Sequence, residues 1–135
     1  MCVFCEIVKG NIPSKKIYED DKVLAILDIS QATRLHTLVM PKEHYENIFE
    51  ISEDTLAHLI KVVKKISCHY KDLDKNILGI NLLNNNGSAA GQTVNHYHMH
   101  ILPRYKEDNL SIDFKDNSAN YNLEELANEY KIKSL

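Results

Sequence analysis

The chain has 135 residues, 44% apolar and 26% charged, with a formal net charge of −3. That length suits one domain with a real hydrophobic core, and the composition is that of a folded soluble protein rather than a disordered or fibrous one. The mild acidity argues against a long nucleic acid as partner, because such proteins carry a basic surface. No apolar run is long enough for a membrane span, and the N-terminus lacks the basic and apolar regions of a secretory signal. Three cysteines, an odd number, argue against a disulfide framework and for a reducing compartment, with the cytoplasm as the expected location.

Cys5 to Lys9 reads as one short helical turn, closed by Gly10, Asn11 and Pro13. Ile17–Tyr18 and Val23–Leu27 flank the polar run Glu19-Asp20-Asp21-Lys22 and predict a hairpin. His36 to Met40 predicts a third strand, stopped by Pro41. Ser52 is an N-cap candidate, with Glu53 and Asp54 in the first turn where they suit the helix dipole. Leu56, Leu59, Ile60, Val63, Ile66, Tyr70 and Leu73 then recur at helical spacing, which predicts one long amphipathic helix ending near Leu73. Ile77 to Leu83 predicts a fourth strand, Asn84 to Gly91 a polar loop, and Val94 to Leu102 a fifth strand stopped by Pro103. Leu123, Leu126, Ala127 and Tyr130 predict a last amphipathic helix. Elements in this order, with short connections, predict an α+β domain: a five-stranded antiparallel sheet packed against the long helix.

His96, His98 and His100 recur at every second position of the fifth strand. Strand side chains alternate faces, so the three imidazoles should share one side with Val94, while Tyr97, Met99 and Ile101 pack on the other. Three rings that titrate near neutrality suit either metal binding or phosphoryl chemistry. The segment from Asn84 to Pro103 contains no Lys, Arg, Asp or Glu. A metal-activated water normally needs a carboxylate nearby. An imidazole nucleophile needs only a carbonyl to fix its tautomer, and the loop before the triad offers amide, hydroxyl and backbone N–H groups for phosphate oxygens.

His96-Tyr97-His98-Met99-His100-Ile101-Leu102 matches, at every position, the signature His-φ-His-φ-His-φ-φ with φ apolar. With Gly91-Gln92-Thr93-Val94, Asp28-Ile29-Ser30 and the run His36 to His44, the chain from about residue 3 to 105 resembles the histidine-triad (HIT) family. In particular it resembles the branch of small nucleoside phosphoramidase-like hydrolases. The resemblance implies a HIT-like fold over residues 1–105, with 106–135 a partly helical tail of the same domain, and a homodimer. It implies that His98 attacks the α-phosphorus of a purine nucleotide conjugate and forms a nucleotidyl-imidazole, which water then hydrolyses. His100 would hydrogen-bond the phosphate, with His96 as the third member of the triad. Asn85, Gln92 and Thr93 would hold phosphate or leaving-group atoms. Asp28 would accept from the ribose hydroxyls, and Phe4, Ile7, Leu27 and Ile29 would enclose the base. His36 is given no catalytic role, and His58 and His69 are expected to be solvated on the long helix.

Cys2-Val3-Phe4-Cys5 has metal-ligand spacing. One branch of the family closes a structural zinc site with such a pair and two histidines, which correspond here to His44 and His96. A zinc there would tie the terminus to the sheet; no organic cofactor is expected. Two other functional readings stay open: a diadenosine polyphosphate hydrolase with the same nucleophile, and a purine-nucleotide-binding scaffold whose catalysis is incidental. The absence of basic side chains near the triad favours a substrate of low charge, unless Lys42, Arg104 or a partner subunit compensates a polyphosphate.

Overall fold

The computed structural model describes residues 1–135. In chain order it runs α1 (Val3–Val8), β1 (Lys16–Glu19), β2 (Val23–Leu27), β3 (Thr37–Pro41), α2 (Glu53–Leu73), β4 (Gly79–Leu83), β5 (Met99–Arg104) and α3 (Leu123–Tyr130), with single 3₁₀ turns at Ser88–Ala90 and Ser118–Asn120. The five strands form one antiparallel sheet in the order β1-β2-β3-β5-β4. This is the α+β architecture that the sequence predicts.

The sheet is covered on both faces, which the sequence reading did not anticipate. Alternation splits its side chains. Val23, Ala25, Val39 and Ile101 face α2 and join Leu59, Val62, Val63, Ile66 and Tyr70 in the larger core. Leu24, Ile26, Leu38 and Met40 face the other way and meet Phe4 and Ile7 of α1. β2 and β3 are therefore buried along nearly their whole length. The long helix starts as expected: Ser52 accepts from the Thr55 N–H, a cap worth about 1 kcal/mol. Its buried stripe differs in detail. Val62 lies inside, whereas Ile60 and Leu73 point outward.

Several strand boundaries also differ, and β4 starts at Gly79 rather than Ile77. β5 begins at Met99 rather than Val94, so only His100 of the triad lies in a strand. The segment before it is held from the side instead: the Tyr97 N–H donates to the Tyr45 carbonyl at 2.7 Å, and Asn84 Nδ2 to the His98 carbonyl at 2.9 Å. The predicted alternation nevertheless survives, with Tyr97, Met99 and Ile101 on the α2 side. The prolines lie within the ends of their strands rather than beyond them. Pro41 ends β3 opposite Val23, and Pro103 lies opposite Ile80 beyond the last β3 pairing, where its missing N–H costs little.

Every residue from 111 to 135 is exposed, including all of α3. No helix is long and apolar enough to cross a membrane.

Candidate functional site

The site lies on the α1 face of the sheet. α1 is short, and its sequence alternates duties: Cys2 caps it and Cys5 follows one turn on, while Phe4 and Ile7 pack inward. Phe4 sets its ring edge-to-face against His98 and His96, with centroids 5.0 Å and 5.9 Å away. A cavity of about 440 Å³ opens beside them. Of the residues assigned to nucleotide binding, Phe4, Ile7, Leu27, Asp28, Ile29 and Thr93 line it, together with His98 and His100. Ile29 stands at its rim, 99% exposed. Asn85 and Gln92 are not among the lining residues. Gln92 is buried, and its amide ties the loop to itself and to the Glu46 segment: it accepts from the Gly87 N–H and donates to the Glu46 and Val94 carbonyls. Asn85 reaches only the Gly91 carbonyl, at 3.4 Å. A larger cleft of about 670 Å³ lies between α2, β1 and residues Arg34–Leu35; it contains none of the triad and faces the other side of the sheet.

Backbone groups fix the tautomers of the triad. His98 Nδ1 is 2.7 Å from the His96 carbonyl, which only accepts, so Nδ1 carries the hydrogen and Nε2 keeps its lone pair. His96 Nε2 is 2.8 Å from the Pro41 carbonyl, which leaves Nδ1 as the lone pair. His36 is placed by the opposite rule: the Ala32 N–H donates to its Nδ1 at 3.1 Å, so the neutral ring carries hydrogen on Nε2. That Nε2–H donates to His100 Nδ1 at 2.9 Å, and His100 is left as an Nε2–H donor. Asp28 Oδ2 stands 3.5 Å from the same His36 nitrogen.

Burial lowers the pKa of all four rings, countered in part by the Pro41 carbonyl at His96, the His96 carbonyl at His98 and the Asp28 charge at His36. At His100 burial and its neighbours His98 and His36 bring the value to about 4. The neutral, hydrogen-bonded forms therefore hold at pH 7.

The ligand atoms of Cys2, Cys5, His44 and His96 converge. Cys2 Sγ lies 3.4 Å and Cys5 Sγ 3.5 Å from His96 Nδ1; His44 Nδ1 lies 3.3 Å from Cys5 Sγ and 3.2 Å from His96 Nδ1. A tetrahedron at ordinary zinc–ligand lengths has edges of roughly 3.3 Å between nitrogens and 3.6 Å between nitrogen and sulfur. The donor set and the lone pair aimed by the Pro41 carbonyl both fit such an ion, so these four residues could hold zinc.

Two side chains of the site escaped the sequence reading. His36 carries the His100 tautomer, and Asn84 holds the His98 carbonyl. A fourth histidine near the Asp28 segment was the available signal for His36; nothing in the spacing signalled Asn84. His58 is a correction. It is not simply solvated, because packing of α2 over the β1–β2 turn brings its Nε2 2.6 Å from Asp20.

A cavity lined by Asp28, His98 and His100, with an oriented imidazole at its side, belongs to a recognisable class. The HIT domain family profile matches residues 9–107, and the chain belongs to that family. It is 48% identical over 128 residues to the protein hit of Bacillus subtilis, covering 94% of this chain and 88% of that one. It is 41% identical over 110 residues to the adenosine 5'-monophosphoramidase HNT1 of Candida albicans, covering 78% of this chain and 72% of the relative. Among solved structures, a HIT family protein from Bacillus anthracis superposes with a TM-score of 0.87 at 46% identity, over 95% of this chain and 91% of that chain. A Zn-bound histidine triad family protein from Mycobacterium smegmatis superposes with a TM-score of 0.78 at 39% identity, over 88% and 86% of the two chains. Relatives named as nucleotide hydrolases support hydrolase activity on nucleotides in general.

Proposed function

We propose that the protein hydrolyses a purine nucleoside phosphoramidate or related nucleotide conjugate at the α-phosphate, through a nucleotidyl-His98 intermediate. The observation that carries this reading is the His98–His96 carbonyl bond at 2.7 Å, which turns the Nε2 lone pair of a buried, neutral imidazole toward chemistry rather than toward the backbone. Nε2 forms a bond to phosphorus as the bond to the amine leaving group breaks, and the amine departs with a proton drawn from solvent, which hydrolysis of the intermediate returns. Water then cleaves the P–N bond to His98 and releases the nucleoside monophosphate. His100 donates its Nε2–H to a phosphate oxygen, and Thr93 offers a hydroxyl. Asp28 accepts from the ribose. Phe4, Ile7, Leu27 and Ile29 enclose the base. Gln92 and Asn85 act, in this reading, by shaping the loop that carries Thr93.

No Lys or Arg lines the cavity. Lys42 is paired with Glu19, and Arg104 is engaged by Asp108, Asn81 and the Leu110 carbonyl. A singly charged phosphoramidate therefore suits the site better than a dinucleoside polyphosphate. Turnover of an adenosine phosphoramidate by the parent, its loss in His98→Ala with the fold intact, and a nucleotidyl adduct on His98 by mass spectrometry are the expected results. Full activity in His98→Ala would sink the mechanism.

Structural zinc held by Cys2, Cys5, His44 and His96 would tie α1 to the sheet; its contribution is mechanical. Ligand thiolates and three unpaired cysteines suit a reducing compartment such as the cytoplasm. A homodimer accounts for the tail, attached in this reading to the domain of residues 1–105. α3 has eight residues, too few for a stable isolated helix in water, yet Leu123, Leu126 and Tyr130 are all exposed. The edge strand β4 also presents Leu82 and Leu83 to solvent. Light scattering at the mass of two chains, reverting to one on truncation after Leu110, is the expected result; a monomeric full-length chain would overturn it.

A further inference from the structure

The loop between β2 and β3 carries both Asp28 and His36, and one exposed side chain ties it together. Gln31 uses its whole amide there. Oε1 accepts from the Leu35 N–H at 2.8 Å and the His36 N–H at 3.2 Å. Nε2 donates to the Asp28 carbonyl at 2.6 Å and the His36 carbonyl at 2.8 Å. The loop also closes through its own backbone, from the Asp28 N–H to the His36 carbonyl at 2.9 Å and from the His36 N–H to the Thr33 carbonyl at 3.0 Å, but the N–H of Leu35 is met by Gln31 alone. Leu35 has φ +73°, a left-handed conformation that a branched, bulky residue adopts only when its surroundings impose it. Leu35 comes directly before His36, so relaxation at this residue would swing the imidazole that donates to His100.

We infer that Gln31 is a positioning residue: its side-chain amide locks the strained Asp28–His36 loop, and so holds the ribose-binding carboxylate and the ring that sets the tautomer of His100 as one rigid unit. The inference rests on the reaction proposed above. Water is a poor substitute for the amide, because four hydrogen bonds to three residues must be satisfied in one fixed plane. The residue touches no substrate. It acts through His36 on His100 and through the backbone on Asp28.

Gln31→Glu tests this with little change of shape. The carboxylate keeps the two acceptor bonds but sets an oxygen against the Asp28 and His36 carbonyls, where Gln31 donates. Gln31→Ala removes all four bonds. Both variants and the parent are assayed with an adenosine phosphoramidate at matched folded fraction, and the imidazole nitrogens are followed by ¹⁵N NMR. A fall in kcat/KM of about a hundredfold is expected, the scale of a misplacement of about 1 Å at a reacting group, shared between kcat and KM because His100 and Asp28 both shift. The NMR signature of the His36–His100 pair, with both rings protonated at Nε2, should be lost alongside it. In Gln31→Glu the deficit relative to the parent should shrink as the pH falls and the carboxyl regains a donor.

A folded Gln31→Glu chain with parental kcat/KM and unchanged imidazole signals would overturn the inference. If Gln31→Ala fails to fold, the isosteric variant decides. If the parent itself does not turn over the phosphoramidate, the proposed reaction falls, while the ¹⁵N signature still decides whether Gln31 holds the pair.

Discussion

Two clusters of ligand-type side chains flank His98. On one side Cys2, Cys5, His44 and His96 bring their ligand atoms within 4.8 Å of one another, and on the other Asp28, His36 and His100 do the same. By distance alone either could hold a metal ion. The backbone separates them. In the first, the Pro41 carbonyl takes the Nε2–H of His96 and aims a lone pair at two sulfurs and a second imidazole. In the second, the Ala32 N–H occupies His36 Nδ1, and the remaining proton lies between His36 and His100. A metal there would have to expel that proton and leave His36 an imidazolate or without its Ala32 bond. The same residue type is thus oriented either as a candidate ion ligand or as a proton holder, according to which main-chain group meets its far nitrogen.

Metal content breaks or upholds this contrast most sharply. One zinc per chain is expected by elemental analysis after loading, and two would contradict the tautomer assignment. Cys5→Ser should lower zinc affinity by about a hundredfold or more, removing roughly 3 kcal/mol of stability and about 10 °C of Tm. His36→Phe should leave the zinc stoichiometry at one. That second variant has its own expected effect: with a ring but no nitrogen at 36, His100 loses its partner and kcat should fall about a hundredfold, while zinc binding changes little and Tm falls by several degrees because the Ala32 N–H and His100 Nδ1 are left unpaired. Steady-state kinetics on the zinc-loaded chain would check it.

Acid titration of the zinc-free chain reads the lowered pKa values of His36, His96, His98 and His100 together, and the His100 share is obtained by difference. The His100 pKa lies at about 4, below its ordinary 6.5, because burial and the neighbouring His98 and His36 disfavour its charge. Between those values the unfolded chain binds a proton that the folded chain does not. Stability is therefore fully present above about pH 6.5 and is lost as the pH falls toward 4, by at most about 3 kcal/mol for this one half-buried ring. Urea unfolding across that window should show the slope, and His100→Phe should make it shallower by the share of this ring. A flat parent curve would mean that the ring is far more hydrated than its position implies.

Much of this was legible from residue order, for identifiable reasons. The period of Leu59, Val63, Ile66 and Tyr70 and the capping by Ser52 fixed α2, and alternation around Tyr97 and Ile101 found the correct inner face even though β5 starts only at Met99. What stayed hidden depends on register. His36 meets His100 only because β3 and β5 align Leu38 with His100, and no one-dimensional pattern encodes that pairing. The two-sided burial of the sheet was missed because α1 is six residues long and its apolar positions look like a frayed end. Gln31 reads in sequence as a polar loop residue; its role depends on the left-handed Leu35, which only the folded backbone reveals.

The smallest expected effect comes from a third histidine environment, which serves as a control for the other two. His58 on α2 lies 2.6 Å from Asp20, closer than His36 lies to Asp28, but its side chain is 37% exposed and no other imidazole adjoins it. Burial works against the Asp20 charge, yet the bonds from His58, from the Lys22 and Val23 N–H groups and from Tyr18 outweigh it and hold the carboxyl well below the usual range. Three of those four partners survive in His58→Ala, so Asp20 is not left unsatisfied. The loss is then that of a partly solvated pair joining α2 to the β1–β2 turn, about 0.5–1 kcal/mol. Tm should drop by a few degrees, with turnover and zinc content unchanged. A change in activity would mean that the turn communicates with the cavity across β2, and that proximity to a carboxylate, rather than the backbone-set tautomer, is what distinguishes the histidines of this fold.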